Sequence, residues 1–355
     1  TPLSLFQYAQ KQTLDPRQAP AWTGINKSAS DFGKWTLASE LLLVLLSTAL
    51  GHALMASYVV NDLLELSKLN QETDQQWKSV VVFYKTALSF VEFAQKELTL
   101  ESNPETAATY SFLIQYFNVC LQLSILIKHS WLNRQEYDTT ESFSSLNNST
   151  LARVAVYVLN ELQQLRSVAS SNILVLDSAN WDEYLEVAIK YASAYAGYFL
   201  AIEMYQQNKI GGALGLVNFS ILALQRKKFD ETQQDTKDSK LSKLKGKLSS
   251  KRNNSYLDKI QSITTLKVNK LAFQSMLGIL LKDIEYLFGQ LILLRTKLAK
   301  ENDNLAFQEV VSWADIHTDS KWPIGTPINT TPVTPYHPSC LSLPDNISTA
   351  RSAYY

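Results

Sequence analysis

Residues 180–208 read NWDEYLEVAIKYASAYAGYFLAIEMYQQN, and the reading of this stretch decides the fold. At roughly 100° per residue, Leu185, Ala188, Ala192, Ala196 and Phe199 share one face of a helix. Val187, Tyr191, Ala194, Tyr198 and Tyr205 share a second, almost opposite face. A surface helix needs a single apolar stripe. Two stripes call for a helix sandwiched between layers, or for one that displays an apolar surface to a partner, and the residues alone leave both readings open. The small residues Ala192, Ser193, Ala194, Ala196 and Gly197 let a neighbouring helix come close, as in helical hairpins of the tetratricopeptide kind. No clean tetratricopeptide repeat runs through the chain.

The surroundings of this helix are poor in breakers. Of ten prolines, three lie at or before Pro20, one is Pro104, and six fall from Pro323 onward; glycines number eleven in all. Leu, Ala, Gln, Glu and Lys fill the interval, which suits helices and not a turn-rich sheet protein. The pattern predicts helices over 36–68, 72–99 and about 105–134, with Pro104 harmless at the start of the third. A fourth, capped by Ser149 or Thr150, runs to about 170. The helix over 180–208 turns at Gly211-Gly212 into another that ends near Lys228. A polar linker over 229–254 leads to a long helical stretch over 256–302. The expected organisation is therefore all-α: an irregular segment over 1–35, a single helical domain over 36–335 and an extended Pro-rich tail over 336–355.

The 355 residues are 46% hydrophobic and 19% charged, enough to build a large core. Lys plus Arg equals Asp plus Glu at 33 each, so no global field steers the chain to nucleic acid. Two cysteines, Cys120 and Cys340, make no disulfide framework and point to a reducing compartment. No secretory signal is expected from the first residues. The run over 41–60 carries no formal charge and is long enough to span a bilayer, but Ser47, Thr48, Gly51, His52 and Ser57 dilute it. A fully buried core helix, with His52 as a satisfied core histidine, is the favoured reading.

Catalytic signals are weak. His52, His129, His317 and His337 are scattered without zinc spacing, and no phosphate loop, dinucleotide fingerprint or nucleophile elbow occurs. Neither an enzyme nor a cofactor is expected. Between 237 and 252, seven basic residues (among them Lys240, Lys243, Lys245 and Lys247) face only Asp238. Such a run can sit on anionic lipid, or be a solvated loop; it lacks the aromatics that stack single-stranded nucleic acid.

Several segments in order resemble the Bro-one domain family, the boomerang-shaped helical domain of Alix and of fungal pH-signalling proteins. Tyr198-Phe199 is followed by Lys209-Ile210-Gly211-Gly212-Ala213-Leu214, then by Lys300-Glu301-Asn302-Asp303, Pro323-Ile324-Gly325 and Thr331-Pro332-Val333. The departures, with Leu216, Asn304, Ala306-Phe307 and Val311 in place of the usual residues, suggest a divergent, PalC-like branch. The resemblance implies a non-enzymatic scaffold that binds the C-terminal amphipathic helix of a Snf-seven-type ESCRT-III subunit, links it to other components of ambient-pH signalling, and works in the cytoplasm at endosomal or plasma-membrane ESCRT sites. Laid over this chain without gaps, the family's groove falls on Leu174, Leu176 and Asp177, with Val187 and Tyr191 on the next helix and Tyr198 extending the floor. Asp177 stands where the family has Lys, a reversal that weakens pairing with an acidic helix. A generic helical-repeat adaptor and a peripheral membrane protein are the alternatives.

Overall fold

A computed structural model describes residues 37–66, 70–98, 104–140, 147–171, 178–224, 278–311 and 322–337. Among the described residues the regular structure is helical: α1 (Leu37–Glu65), α2 (Gln71–Leu98), α3 (Pro104–Thr140), α4 (Asn148–Ser170), α5 (Ser178–Gln206), α6 (Ile210–Ala223) and α7 (Gly278–Glu301), the last running into a π turn over Asn302–Ala306. Helices α2 to α6 each pack on the one before, and α7 returns to lie against α6, α5, α3 and α1. The all-α expectation holds. The expected segments over 1–35, 229–254 and 256–277 lie outside the described residues.

Local chemistry explains the starts. Asn70 and Thr73 cap α2 reciprocally: the Thr73 N–H donates to Asn70 Oδ1 at 2.8 Å and the Asn70 N–H donates to Thr73 Oγ1 at 2.9 Å. Helix α4 departs from expectation. Its N-cap is Asn147, in the left-handed region at φ 75° and without a side-chain cap bond, so Ser149 and Thr150 fall inside the helix. Asparagine tolerates that backbone better than serine or threonine.

The two stripes of α5 resolve in favour of the sandwich. Leu185, Val187, Ala188, Tyr191, Ala192, Ala194, Tyr195, Tyr198, Phe199 and Ile202 are all buried, enclosed by α4 and α6 on its flanks and touched by α7. A polar knot fixes the contact with α7. Asp283 is fully buried and accepts from Tyr191 Oη at 2.5 Å and from Tyr195 Oη. Its other oxygen faces Arg134 Nη2 of α3 at 3.5 Å, and the Arg134 guanidinium lies 4.1 Å from the Tyr286 ring centre. Burial pushes the Asp283 carboxyl above its ordinary value, against the opposing pull of Arg134 and the two hydroxyls.

Gly211-Gly212 is not the turn. The chain reverses at Gln207, Asn208 and Lys209, with Asn208 left-handed at φ 59°, and both glycines belong to α6. Gly211 and, one turn on, Gly215 serve the close approach of another backbone. A Cβ on Gly211 would sit 2.2 Å from the Glu309 carbonyl oxygen, and one on Gly215 would sit 2.4 Å from that of Val311. Gln308 locks this backbone in place: its Oε1 accepts from the Gly211 N–H at 3.0 Å and its Nε2 donates to the Asn208 carbonyl at 2.8 Å.

Helix α1 also departs from expectation. Only 28% of its most apolar window is buried, because α2, α7 and a small contact with α3 leave one side open. Val44, Gly51, Leu54, Met55 and Tyr58 lie along that side. His52 is half-buried and stacks on Phe90 at 5.7 Å. Helices Glu40–Glu65 and Ala107–Arg134 are both long and apolar enough to cross a membrane, so 41–60 is not unique in that respect.

Residues 322–337 form an extended strap across four helices. Trp322 packs edge-on to Phe219 of α6 at 5.2 Å, and the Thr326 N–H donates to the Arg153 carbonyl of α4 at 3.1 Å. On α3, the Gln122 carboxamide grips the strap backbone twice, accepting from the Ile328 N–H and donating to the Ile328 carbonyl, both at 3.0 Å. On α2, Lys85 meets the Thr331 hydroxyl, the Tyr336 N–H donates to the Ser89 carbonyl at 3.1 Å, and the Tyr336 ring packs 4.6 Å from Phe90.

This packing has two measurable outcomes. Asp283→Ala leaves Arg134 buried without its partner and lowers the unfolding free energy in urea by about 3–5 kcal/mol, while Tyr191→Phe costs about 1.5–3 kcal/mol; a loss under about 1 kcal/mol for the first contradicts the knot's importance. One substitution type also has opposite signs at two sites. Gly215→Ala lowers stability by about 1–3 kcal/mol through the clash with Val311, whereas Gly51→Ala, with nothing within 4 Å of the new Cβ, raises it by about 0.5–1 kcal/mol.

Candidate functional site

The residues of the expected groove divide into two groups. Leu174, Leu176 and Asp177 lie outside the described residues, as do Lys240, Lys243, Lys245 and Lys247. Val187, Tyr191 and Tyr198 are 4%, 0% and 1% exposed, so they are core and form no open floor. The correction has a plain cause: apolar residues four apart mark a buried stripe as well as a docking stripe, and here the chain's own α7 reaches Tyr191 through Asp283.

Helix α5 is partly exposed at its N-terminal end, at Ile189, Lys190, Ser193 and Leu200 along its length, and from Glu203 to Gln206 at its C-terminal end. Trp181 and Tyr184 are half-buried and face α3, where Phe112 and Tyr116 complete an aromatic shelf. Trp181 stands edge-on to Phe112 at 5.1 Å and to Tyr116 at 5.0 Å, and lies 6.1 Å from Tyr184. Edge-to-face pairing adds to area burial and holds the rings in fixed orientations. The Tyr116 and Tyr184 hydroxyls are hydrogen-bonded at 3.3 Å. These side chains present apolar area with polar tips, a composition common at protein interfaces.

Charge rims the shelf on the α4 side. Arg166 donates from Nε to Asp182 Oδ1 at 2.8 Å and from Nη2 to Glu186 at 3.3 Å, and Lys190 pairs with Glu186 at 3.0 Å. The Arg166 guanidinium holds the Asp182 carboxyl below its ordinary value. The pairs are partly solvated, so they add little stability, but they fix the first turns of α5 against α4. Trp181, Tyr184 and Tyr116 are absent from the groove expected from the sequence. The spacing of Trp181 and Tyr184, three apart on one helix, was the available signal.

Burial pushes the Cys120 thiol up to about 12, which leaves it protonated and unreactive at neutral pH. Among the described residues, no cluster of His, Cys, Asp and Glu is placed to hold a metal ion.

Comparison with solved structures places the fold. The ALIX BRO1–CHMP4C complex matches with a TM-score of 0.50 at 15% identity, over 92% of this chain and 84% of that one. ALIX in complex with the SIVmac239 PYKEVTEDL late domain matches with a TM-score of 0.50 at 14% identity, over 88% of this chain and 36% of that one. A Bro1 domain described for endosomal targeting matches at 0.49 and 14% identity, over 88% of this chain and 71% of that one. The helical fold is thus that of the Bro1 domain. No curated protein matches the chain by sequence. Residues 35–355 match a family of unknown function, DUF5355, and the chain belongs to that family.

Proposed function

We propose that this chain is a non-enzymatic adaptor that binds an amphipathic helix of an ESCRT-III subunit on the aromatic shelf. The observation that carries the reading is the half-buried aromatic set Trp181, Tyr184 and Tyr116, held in fixed orientation near the start of α5 beside ion pairs. An amphipathic helix laid there buries its apolar face on the rings and meets charge at the edge. The likeness in fold to a Bro1 domain solved with CHMP4C supports this class of partner. The ordered segments from Tyr198 to Val333 support the finer reading of a PalC-like scaffold that takes the C-terminal helix of a Snf-seven-type subunit and connects it to ambient-pH signalling. Its place would then be the cytoplasm, at endosomal or plasma-membrane ESCRT sites.

A second reading, peripheral membrane contact, is favoured by one observation. Helix α1 carries exposed Val44, Leu54, Met55 and Tyr58 within the uncharged run over 41–60. Sedimentation with neutral vesicles, and its loss in Met55→Asp, distinguishes this reading from the first.

Burying about 100 Å² of apolar area per ring contributes on the order of 2–3 kcal/mol. Titration by fluorescence anisotropy with a Snf-seven-type C-terminal helix therefore gives a saturable complex that Tyr184→Asp weakens by about thirtyfold or more. Tyr191→Phe, which alters only the buried knot, leaves the affinity unchanged. Equal binding by wild type and Tyr184→Asp, or no binding by either, would remove this reading.

A further inference from the structure

The surface that holds the strap continues beyond it. On α3, Ser111, Gln115, Asn118 and Gln122 follow one another by four, three and four residues and so form one stripe. Gln122, at one end, is the side chain that grips Ile328. The rest of the stripe lines an open cleft of about 340 Å³, closed on its sides by Gln95 of α2 and by Tyr157 and Glu161 of α4. Tyr157 belongs to both regions: a Cβ on strap residue Gly325 would sit 2.6 Å from its backbone nitrogen. Asn118 is four residues from Gln122, about 6 Å along the helix, so a chain in the cleft would run beside the strap.

The hydrogen bonds already made determine what the cleft has left to offer. Gln115 Nε2 donates to Glu161 Oε2 at 2.7 Å and to Gln164 Oε1 at 3.2 Å, which leaves Gln115 Oε1 as an acceptor. Asn118 Nδ2 donates to the Ile114 carbonyl of its own helix at 3.0 Å, which leaves Asn118 Oδ1 and one N–H. Glu161 is a carboxylate, and the lining contains no Lys or Arg. The cleft therefore offers the amide oxygens of Gln115 and Asn118 as acceptors and one Asn118 N–H as a donor, beside one negative charge. A helix has few backbone donors to give it, since its N–H groups are spent internally. An extended chain presents a free N–H along each edge, and a basic side chain suits Glu161.

We propose that this cleft binds an extended peptide segment of a partner protein, with a Lys or Arg set over Glu161, alongside the chain's own strap. The strap shows the chemistry in place: the same stripe of α3 holds an extended backbone through a carboxamide. This site is separate from the aromatic shelf and stands independently of the function proposed for it.

The test uses the full chain and a phage-displayed library of linear peptides about twelve residues long. Panning runs in parallel against the wild type and against Asn118→Trp, whose indole fills the cleft. Enrichment is expected on the wild type alone, with Lys or Arg at a recurrent position. A synthetic copy of the enriched peptide should lose about tenfold or more in affinity on Glu161→Gln. That substitution keeps shape and removes the charge, so the helical circular dichroism and thermal midpoint stay at wild-type values. Equal recovery on both proteins, no recovery on either, or an affinity indifferent to Glu161→Gln each overturns the proposal.

Discussion

The architecture turns on the carboxylate of Asp283. It is buried, it stands on α7, and it accepts hydrogen bonds from the hydroxyls of Tyr191 and Tyr195 of α5 while facing Arg134 of α3. Three helices far apart in sequence are thereby held at one point. Removing a charge from water is costly, and the cost is offset only when partners surround it in fixed geometry. Once α7 is seated, Val187, Tyr191, Tyr195 and Tyr198 are closed off, so a partner of α5 must use other side chains.

That constraint orders the remaining features. At the N-terminal end of α5, Trp181 and Tyr184 emerge between α3 and α4, where the ion pairs of Arg166 fix the helix direction. At the other end, the chain reverses through Asn208, and the backbone at 309–311 presses against Gly211 and Gly215. The extended strap then crosses α6, α4, α3 and α2, tying the layers together from outside with backbone hydrogen bonds. Helix α7 closes the core, and the backbone downstream of α7 organises the surface.

Much of the fold was legible in the sequence. The absence of proline between Pro104 and Pro323 and the helical spacing of apolar residues gave the helices to within a few residues at most boundaries. Features that depend on distant contacts were not legible. Gly211-Gly212 reads as a turn until Glu309, far downstream, is seen against it. The run over 41–60 reads as core because apolarity does not report how many neighbours a helix has. The sandwich and display readings of α5 have one and the same pattern, and only Asp283, 92 residues from Tyr191, separates them. The groove carried over from the family resemblance met the same difficulty: Val187, Tyr191 and Tyr198 match it in character and lie in the interior.

On the proposed reading, Tyr191, Tyr195 and Tyr198 of α5 are sealed in the core, and the aromatic rings near its N-terminus receive the partner. Hydroxyl-radical footprinting of the full chain, with and without an ESCRT-III C-terminal helix, reads side-chain exposure at each ring directly. The expected result is labelling of Trp181, Tyr184 and Tyr116 in the free chain, protection of all three by the helix, and no labelling of Tyr191, Tyr195 or Tyr198 in either state. Labelling of Tyr191 or Tyr198 in the free chain, or a shelf equally labelled with and without the helix, contradicts it.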